Sequence, residues 1–389
     1  MWYSEGNSQE RDGHMKVMHT SDLHIGRVLL EESLLADQQH ILDEIIRVAR
    51  EEKTEVLMIS GDIYDKSIPS AEAVRLFNDF LVKLSRLECE VLMIRGNHDS
   101  ADRLNFGSRL FDRLNIHIVC EYDGHISRFS KGNVEFYLLP FIKPFHLKGY
   151  LSEEEYAGIR SSNDMMKTVL ERETIDENKV NILMMHRFVK TGDKMPELSE
   201  SESQTFVGTL DPVDSSLLDK FDYVALGHIH KPQIIKRDTV RYCGTPMKYS
   251  FSEANNENGV VIYDTDSHET RTVRLKPLRE MRNIKVTYEE AMNLPDSDDL
   301  LRIELQDEPL VSSPLDNLKR KFPNLLSLVP LRHQQQSKGI FARRTEISAR
   351  DTPETLFAEF FELQAGRKLN ENEEKYFRSI MEELREEEA

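Results

Sequence analysis

The chain has 389 residues, enough for one large domain of about 250 residues and one or two small ones. Its formal net charge of −18 argues against a protein that grips polyanions by overall charge, and no apolar run approaches the roughly 18 residues of a membrane span. Three cysteines, Cys89, Cys120 and Cys243, show no metal-ligand spacing and read as small buried side chains in a reducing compartment, without structural disulfides.

Residues 1–14 are polar, lack the apolar stretch of a secretory signal and precede a second plausible start, Met15, so they read as a tag or disordered leader. Five apolar runs of buried-strand type come next: Lys16 to His19, Val56 to Ser60, Val91 to Arg95, Ile182 to Met185 and Tyr223 to Leu226. Between the first three lie two helical stretches, Ser33 to Lys53 and Ser70 to Leu87. Strand and helix alternation predicts parallel pairing, with the residues after each strand gathered at the carboxyl edge.

The residues that end these strands are chemically uniform. In chain order stand Asp22-Leu23-His24, Gly61-Asp62, Gly96-Asn97-His98-Asp99, His186 and Gly227-His228-Ile229-His230. A lone His186 or a single Gly-Asp is ordinary, but five such endings in one order read as a two-metal phosphoesterase site. Two cations roughly 3.5 to 4 Å apart clamp a phosphate and stabilise both its attacking and leaving oxygens. A mixed Asp, Asn and His set suits a transition metal such as Mn²⁺ better than Mg²⁺ alone. Asp62 is the natural bridging carboxylate, because the glycine before it lets backbone and metal approach closely.

The ordered motifs resemble those of the calcineurin-like metallophosphoesterases. Within them, His19 to Arg27, Arg95 to Ser100, Phe221 to Gln233 and Cys243 to Ala254 are similar to the SbcD family of bacterial nuclease subunits, relatives of the Mre nucleases. The likeness runs from about Met15 to the end, strongly to Glu280; Leu23 departs from the tryptophan common in that family, at a position that is not a ligand. The resemblance implies an α+β fold, a four-layer α/β/β/α sandwich over residues 15–280, with a small capping domain at 281–345 that positions DNA. It also implies a C-terminal helical hairpin at 350–389. One metal would be held by Asp22, His24, Asp62 and His230, the other by Asp62, Asn97, His186 and His228. His98 would protonate the leaving sugar oxygen or stabilise the transition state, with Asp99 orienting its ring.

Further implications of the resemblance are two divalent ions, most simply Mn²⁺ with Mg²⁺ as the alternative, and cleavage of double-stranded ends, single strands and hairpins in DNA repair, recombination and replication. The partners would be DNA and an SbcC-like ABC ATPase with a coiled coil, in a heterotetramer containing a nuclease homodimer. The location would be cytoplasmic, at the nucleoid. The helical candidate Asp102 to Leu114 is the expected dimer surface. No Gly-x-x-x-x-Gly-Lys-Ser/Thr loop occurs, so ATP dependence would come from the partner. Against the acidic balance, Arg27, Lys66, Arg95, Arg103 and Arg109 lie near the metal motifs, and Arg27 and Arg103 are the better candidates for phosphate contact.

Beyond the catalytic part, Val260 to Tyr263, Met281 to Thr287, Leu300 to Leu305 and Leu325 to Val329 read as strands, with a helix at Leu315 to Lys321. A polar linker spans His333 to Lys338. Two amphipathic helices come after it, opened by Thr352-Pro353-Glu354 and by Asn370; they either pack on their own domain or dock a partner. Glu197 to Gln204 reads as a flexible loop that can approach the site. A phosphatase or phosphodiesterase of small esters and a non-catalytic scaffold subunit stand as the alternative functions.

Overall fold

A computed structural model describes residues 14–202 and 212–330, with 361, 367–370, 373–374 and 377. Residues 1–13 of the expected leader, the polar linker and most of the C-terminal hairpin lie outside the described residues. Residues up to Leu305 and Pro309–Leu328 belong to one structural unit, which holds both sheets and the expected ligand residues.

Two six-stranded sheets make the centre. The first contains β1 (Lys16–Thr20), β2 (Val56–Ser60), β3 (Glu90–Ile94) and β4 (Ile116–Val119), all parallel. The second contains β5 (Ser127–Lys131), β6 (Val134–Leu139), β7 (Val180–His186), β8 (Tyr223–Gly227), β9 (Gln233–Ile234) and β10 (Val240–Tyr242). The chain returns to the first sheet through β11 (Gly259–Asp264) and β12 (Thr270–Arg274), which pair antiparallel beside β1. The orders are therefore β12-β11-β1-β2-β3-β4 and β9-β10-β8-β7-β6-β5. β6, β7, β8 and β10 run parallel, with antiparallel strands at both edges.

The residue pattern dictates the layering. Along β2, Val56 and Met58 face the second sheet in a core shared with Phe136, Ile182, Met184 and Tyr223. Leu57 and Ile59 face the opposite way, into a core with α1 (Leu35–Glu52) and α2 (Ala71–Leu84). Strands buried on both faces read as unbroken apolar runs, which is why β2 is legible without alternation. α3 (Ser162–Glu171) covers the outer face of the second sheet through Met165, Met166, Val169 and Leu170. The result is a four-layer α/β/β/α sandwich, as expected.

The stretch Asp102 to Leu114 is not one helix. It breaks into turns at Ala101–Leu104, Ser108–Phe111 and Asp112–Leu114, because Gly107 sits at φ 79°, a left-handed conformation that stops helical hydrogen bonding. Residues 281–329 build a parallel pair, β13 (Met281–Val286) and β14 (Leu300–Leu305), extended by β15 (Leu325–Val329). They carry α4 (Tyr288–Asn293) and α5 (Pro314–Lys321), packed through Ala291, Ile303, Leu318 and Phe322. This layer is joined to the catalytic part by Met281 and Leu300, which enter the core of α1 and α2, and by Asn283 Nδ2 donating to the Phe251 carbonyl at 2.7 Å. Among the described residues no helix is long and apolar enough to cross a membrane.

Candidate metal centre

The parallel strands bring their carboxyl ends together from both sheets. Asp22 and His24 follow β1, Asp62 follows β2 and Asn97 follows β3; His186 ends β7, and His228 and His230 follow β8. The close approach requires missing side chains. A Cβ on Gly61, which sits at φ 93°, would lie 2.4 Å from His186 Nδ1, and one on Gly227 would lie 2.0 Å from the Ser60 carbonyl oxygen. Asp22, His24, Asp62 and His228 all hold positive φ, at 54°, 44°, 51° and 103°. Such backbone is unfavourable for side chains of this kind and persists where surrounding structure over-determines it, as at functional sites.

Two buried donor sets result. Asp22, His24 and His230 form one, and Asp62, His186 and His228 the other, with the ligand atoms of each within 4.8 Å of one another. His24 Nε2 faces His230 Nε2 at 3.1 Å. Asp62 Oδ2 stands 3.2 Å from His186 Nε2 and 3.8 Å from His24 Nε2, between the two sets. Asn97 Oδ1 lies 3.0 Å from His186 Nε2 and 2.9 Å from His228 Nδ1. Buried oxygen and imidazole nitrogen at this density fit a pair of divalent cations.

The surroundings fix the rings. His186 Nδ1 donates to the Ser60 carbonyl at 2.7 Å, which directs Nε2 at the site. His230 Nδ1 meets Ser201 Oγ at 2.6 Å, and that hydroxyl in turn donates to Glu253, which is fully buried. Glu202 accepts from the His230 backbone N–H. Gln38 Oε1 accepts from Gly26 N at 2.9 Å while its Nε2 donates to the His24 carbonyl at 2.6 Å, tying α1 to the first ligand loop.

Electrostatics couple the ligands. Burial, with the neighbouring cationic rings, holds His24 and His228 well below the usual imidazole range. Burial works against the imidazolium of His186 too, yet Asp62 beside it holds that ring up to about 9. Burial raises the Asp22 carboxyl, whereas against burial His186 holds Asp62 well below the ordinary carboxylate range.

His98 is half-buried at the rim. Its backbone N–H donates to Asp62 Oδ1 at 2.9 Å, and its Nδ1 meets the Asp65 carbonyl at 2.8 Å. Asp99 has a different employment from the one expected. Its carboxylate accepts from the backbone N–H groups of Ile63, Tyr64 and Gly96 at 3.1, 2.9 and 2.9 Å, locking the Asp62 loop to the Asn97 loop, and Asp65 supplies the ring contact instead. Arg27 pairs with Asp65 at 2.8 Å, and Arg103 is exposed.

Sequence reasoning missed Gln38, Asp65, Ser201, Glu202 and Glu253 as partners of the site. Gln38 carried a signal, being a polar residue on the apolar stripe of α1. The Glu197 to Gln204 stretch reads as a flexible loop, yet its described part folds against His230, with Ser199 and Glu202 under 10% exposed.

Two sheets whose parallel strand ends converge on paired Asp/His sets define a metallophosphoesterase centre, and residues 15–232 match the calcineurin-like phosphoesterase family. Residues 277–365 match the type 5 capsule protein repressor C-terminal domain. The SbcD subunit of the nuclease SbcCD from Staphylococcus saprophyticus is 34% identical over 382 residues, 96% of this chain and 99% of that relative. The corresponding SbcCD nuclease subunit from Staphylococcus epidermidis is 33% identical over 324 residues, 81% of this chain and 85% of its own. The chain therefore belongs to the calcineurin-like phosphoesterases and, within them, to the SbcD family of SbcCD nuclease subunits.

Proposed function

We propose that the chain is the nuclease subunit of an SbcCD-type complex, cutting phosphodiester bonds of DNA at the Asp/His centre. The observation that carries this reading is the pair of buried donor sets with Asp62 between them, joined to a relative described as a nuclease subunit and matched over nearly its whole length. Asp22, His24, Asp62 and His230 would hold one cation, and Asp62, Asn97, His186 and His228 the other, with Mn²⁺ favoured by the imidazole-rich set. When bound, such a pair supplies Lewis-acid polarisation of a phosphate and stabilises its developing charge. His98 would stand by the leaving oxygen as acid, its ring set by the Asp65 carbonyl. The DNA forms cut would be double-stranded ends, single strands and hairpins. An SbcC-type ATPase, bound by the C-terminal segment, would gate access, and two nuclease subunits would pair in a heterotetramer in the cytoplasm, at the nucleoid. Residues 281–329 would guide DNA over the site.

The test is cleavage of end-labelled hairpin and linear duplex DNA by the purified chain in Mn²⁺, with bis-p-nitrophenyl phosphate alongside. DNA cutting is the expected result. Turnover of the small diester with intact DNA, even after addition of the ATPase, would overturn the nuclease reading in favour of a small-ester phosphodiesterase. Removing residues 352–389 should abolish ATPase binding and spare Mn²⁺-dependent cleavage of single strands; undiminished partner affinity would refute the docking role.

A further inference from the structure

Arg187 follows the ligand His186 directly, and it is buried to 4% exposure without a hydrogen bond to Nη2 among the described residues. Its guanidinium lies on the face of Phe141, 4.5 Å from the ring centroid. Its charged neighbour is Arg95, and no carboxylate pairs with it among the described residues. Arg95 is half-buried, spends one nitrogen on the Phe141 carbonyl and keeps Nε sealed and unpaired. Asp99 lies near Arg95, but its carboxylate is occupied by three backbone N–H groups. His146 and Lys143, on the turn after Phe141, add to the same positive field, and Phe145 stacks on His146 while 60% exposed. A protein that buries an unpaired guanidinium beside a second one is built to receive an anion, since planar guanidinium forks match phosphate oxygens.

The position says which phosphate. The Phe141 ring carries Arg187 on its face and stands edge-on to His186, at 6.5 Å between centroids. Arg187 is next in sequence to His186 yet belongs to neither donor set, so the phosphate it addresses is one adjoining the phosphate held at those sets. Resting on the nuclease reading, we propose that Arg187, backed by Arg95, binds the phosphate next to the scissile one on the cleaved strand. Phe145, exposed at the rim, offers a stacking face to an adjoining base.

The test is fluorescence anisotropy of a labelled oligonucleotide in EDTA, where nothing is cut. Single methylphosphonates, which remove one phosphate charge each, are scanned along the strand. In the wild-type chain one flanking position should weaken binding about tenfold. R187M should bind the unmodified strand about tenfold more weakly, show no further loss from that methylphosphonate, and lower the slope of log affinity against log salt by about 0.7. R187M should melt no lower than the wild type, because it removes a buried unpaired charge. R187K keeps a cation without the fork and should fall between them in affinity, which preserves the test if R187M fails to fold. Equal methylphosphonate penalties in wild type and R187M, or no sensitive position, overturn the proposal. So does a pocket that takes only inorganic phosphate, seen as a melting shift by orthophosphate in wild type and not R187M with an insensitive strand. A chain that binds DNA through Arg187 yet never cuts it would refute the nuclease reading alone.

Discussion

The Nε2 atoms of His24 and His230 face each other at 3.1 Å although the residues are 206 apart in the chain. Two imidazole nitrogens in that arrangement, sealed from water, repel through their lone pairs unless a cation or proton lies with them. Replacing His230 with alanine should lower bound Mn²⁺ from about two ions per chain to about one, measured by elemental analysis after gel filtration. Unchanged stoichiometry would remove His230 from the ligand set.

Proton competition gives the second prediction. The His186 ring is held up to about 9 against an ordinary 6.5, so in the metal-free protein it carries a proton that must leave before Nε2 can ligate. Metal affinity should therefore climb between pH 6.5 and about 9 and flatten above, with proton release visible by calorimetry in buffers of different ionisation heat. Stability has the opposite sign. A raised histidine stabilises the metal-free fold fully below 6.5 and loses that contribution as pH rises through about 9, so melting in EDTA should fall across this range.

Gly227→Ala places a methyl group 2.0 Å from a backbone oxygen of the other sheet. That oxygen belongs to Ser60, also the acceptor for His186, so relief by local movement would disturb both. A loss above about 4 kcal/mol is expected in denaturant melts, or no soluble protein.

Glu253 is fully buried and reaches His230 through Ser201. Glu253→Gln should weaken metal binding about 10- to 100-fold with little change in melting of the metal-free chain, because the ring loses its orienting charge and keeps its place. Wild-type affinity in the variant would show the carboxylate to be a packing residue only.

His98→Ala should retain both metals and lose DNA cleavage by about 10²- to 10⁴-fold. Loss of metal with activity would make His98 a determinant of the Asp62 loop, which its backbone N–H already holds.

The candidate ligands are legible in the sequence because β1, β2, β3, β7 and β8 are buried on both faces, and such strands stand out as apolar runs with abrupt polar endings. The division of those strands between two sheets is hidden, since pairing partners leave no periodicity. Ser127–Lys131, an exposed-edge strand with alternating polar residues, is likewise silent. α4 does carry a signal, the Thr287 and Glu290 pair of a capping box, although the strand pattern around it draws the eye first. Chain proximity pairs Asp99 with the His98 ring, whereas the unpaired backbone N–H groups of the turn after Asp62 claim its carboxylate. Local order along a chain says little about which buried donors will need an acceptor.

Asp22, Asp62 and Asn97 come from one sheet and His186, His228 and His230 from the other. A cation arriving at a chain in which only one layer has formed would meet half a ligand set. Ion uptake would thus report that the two halves have docked, and each ion would then act as a rivet across the seam, favouring the docked state by mass action as its concentration rises. The same construction keeps an incompletely folded chain from hydrolysing anything, so that assembly itself is the safeguard against untimely chemistry.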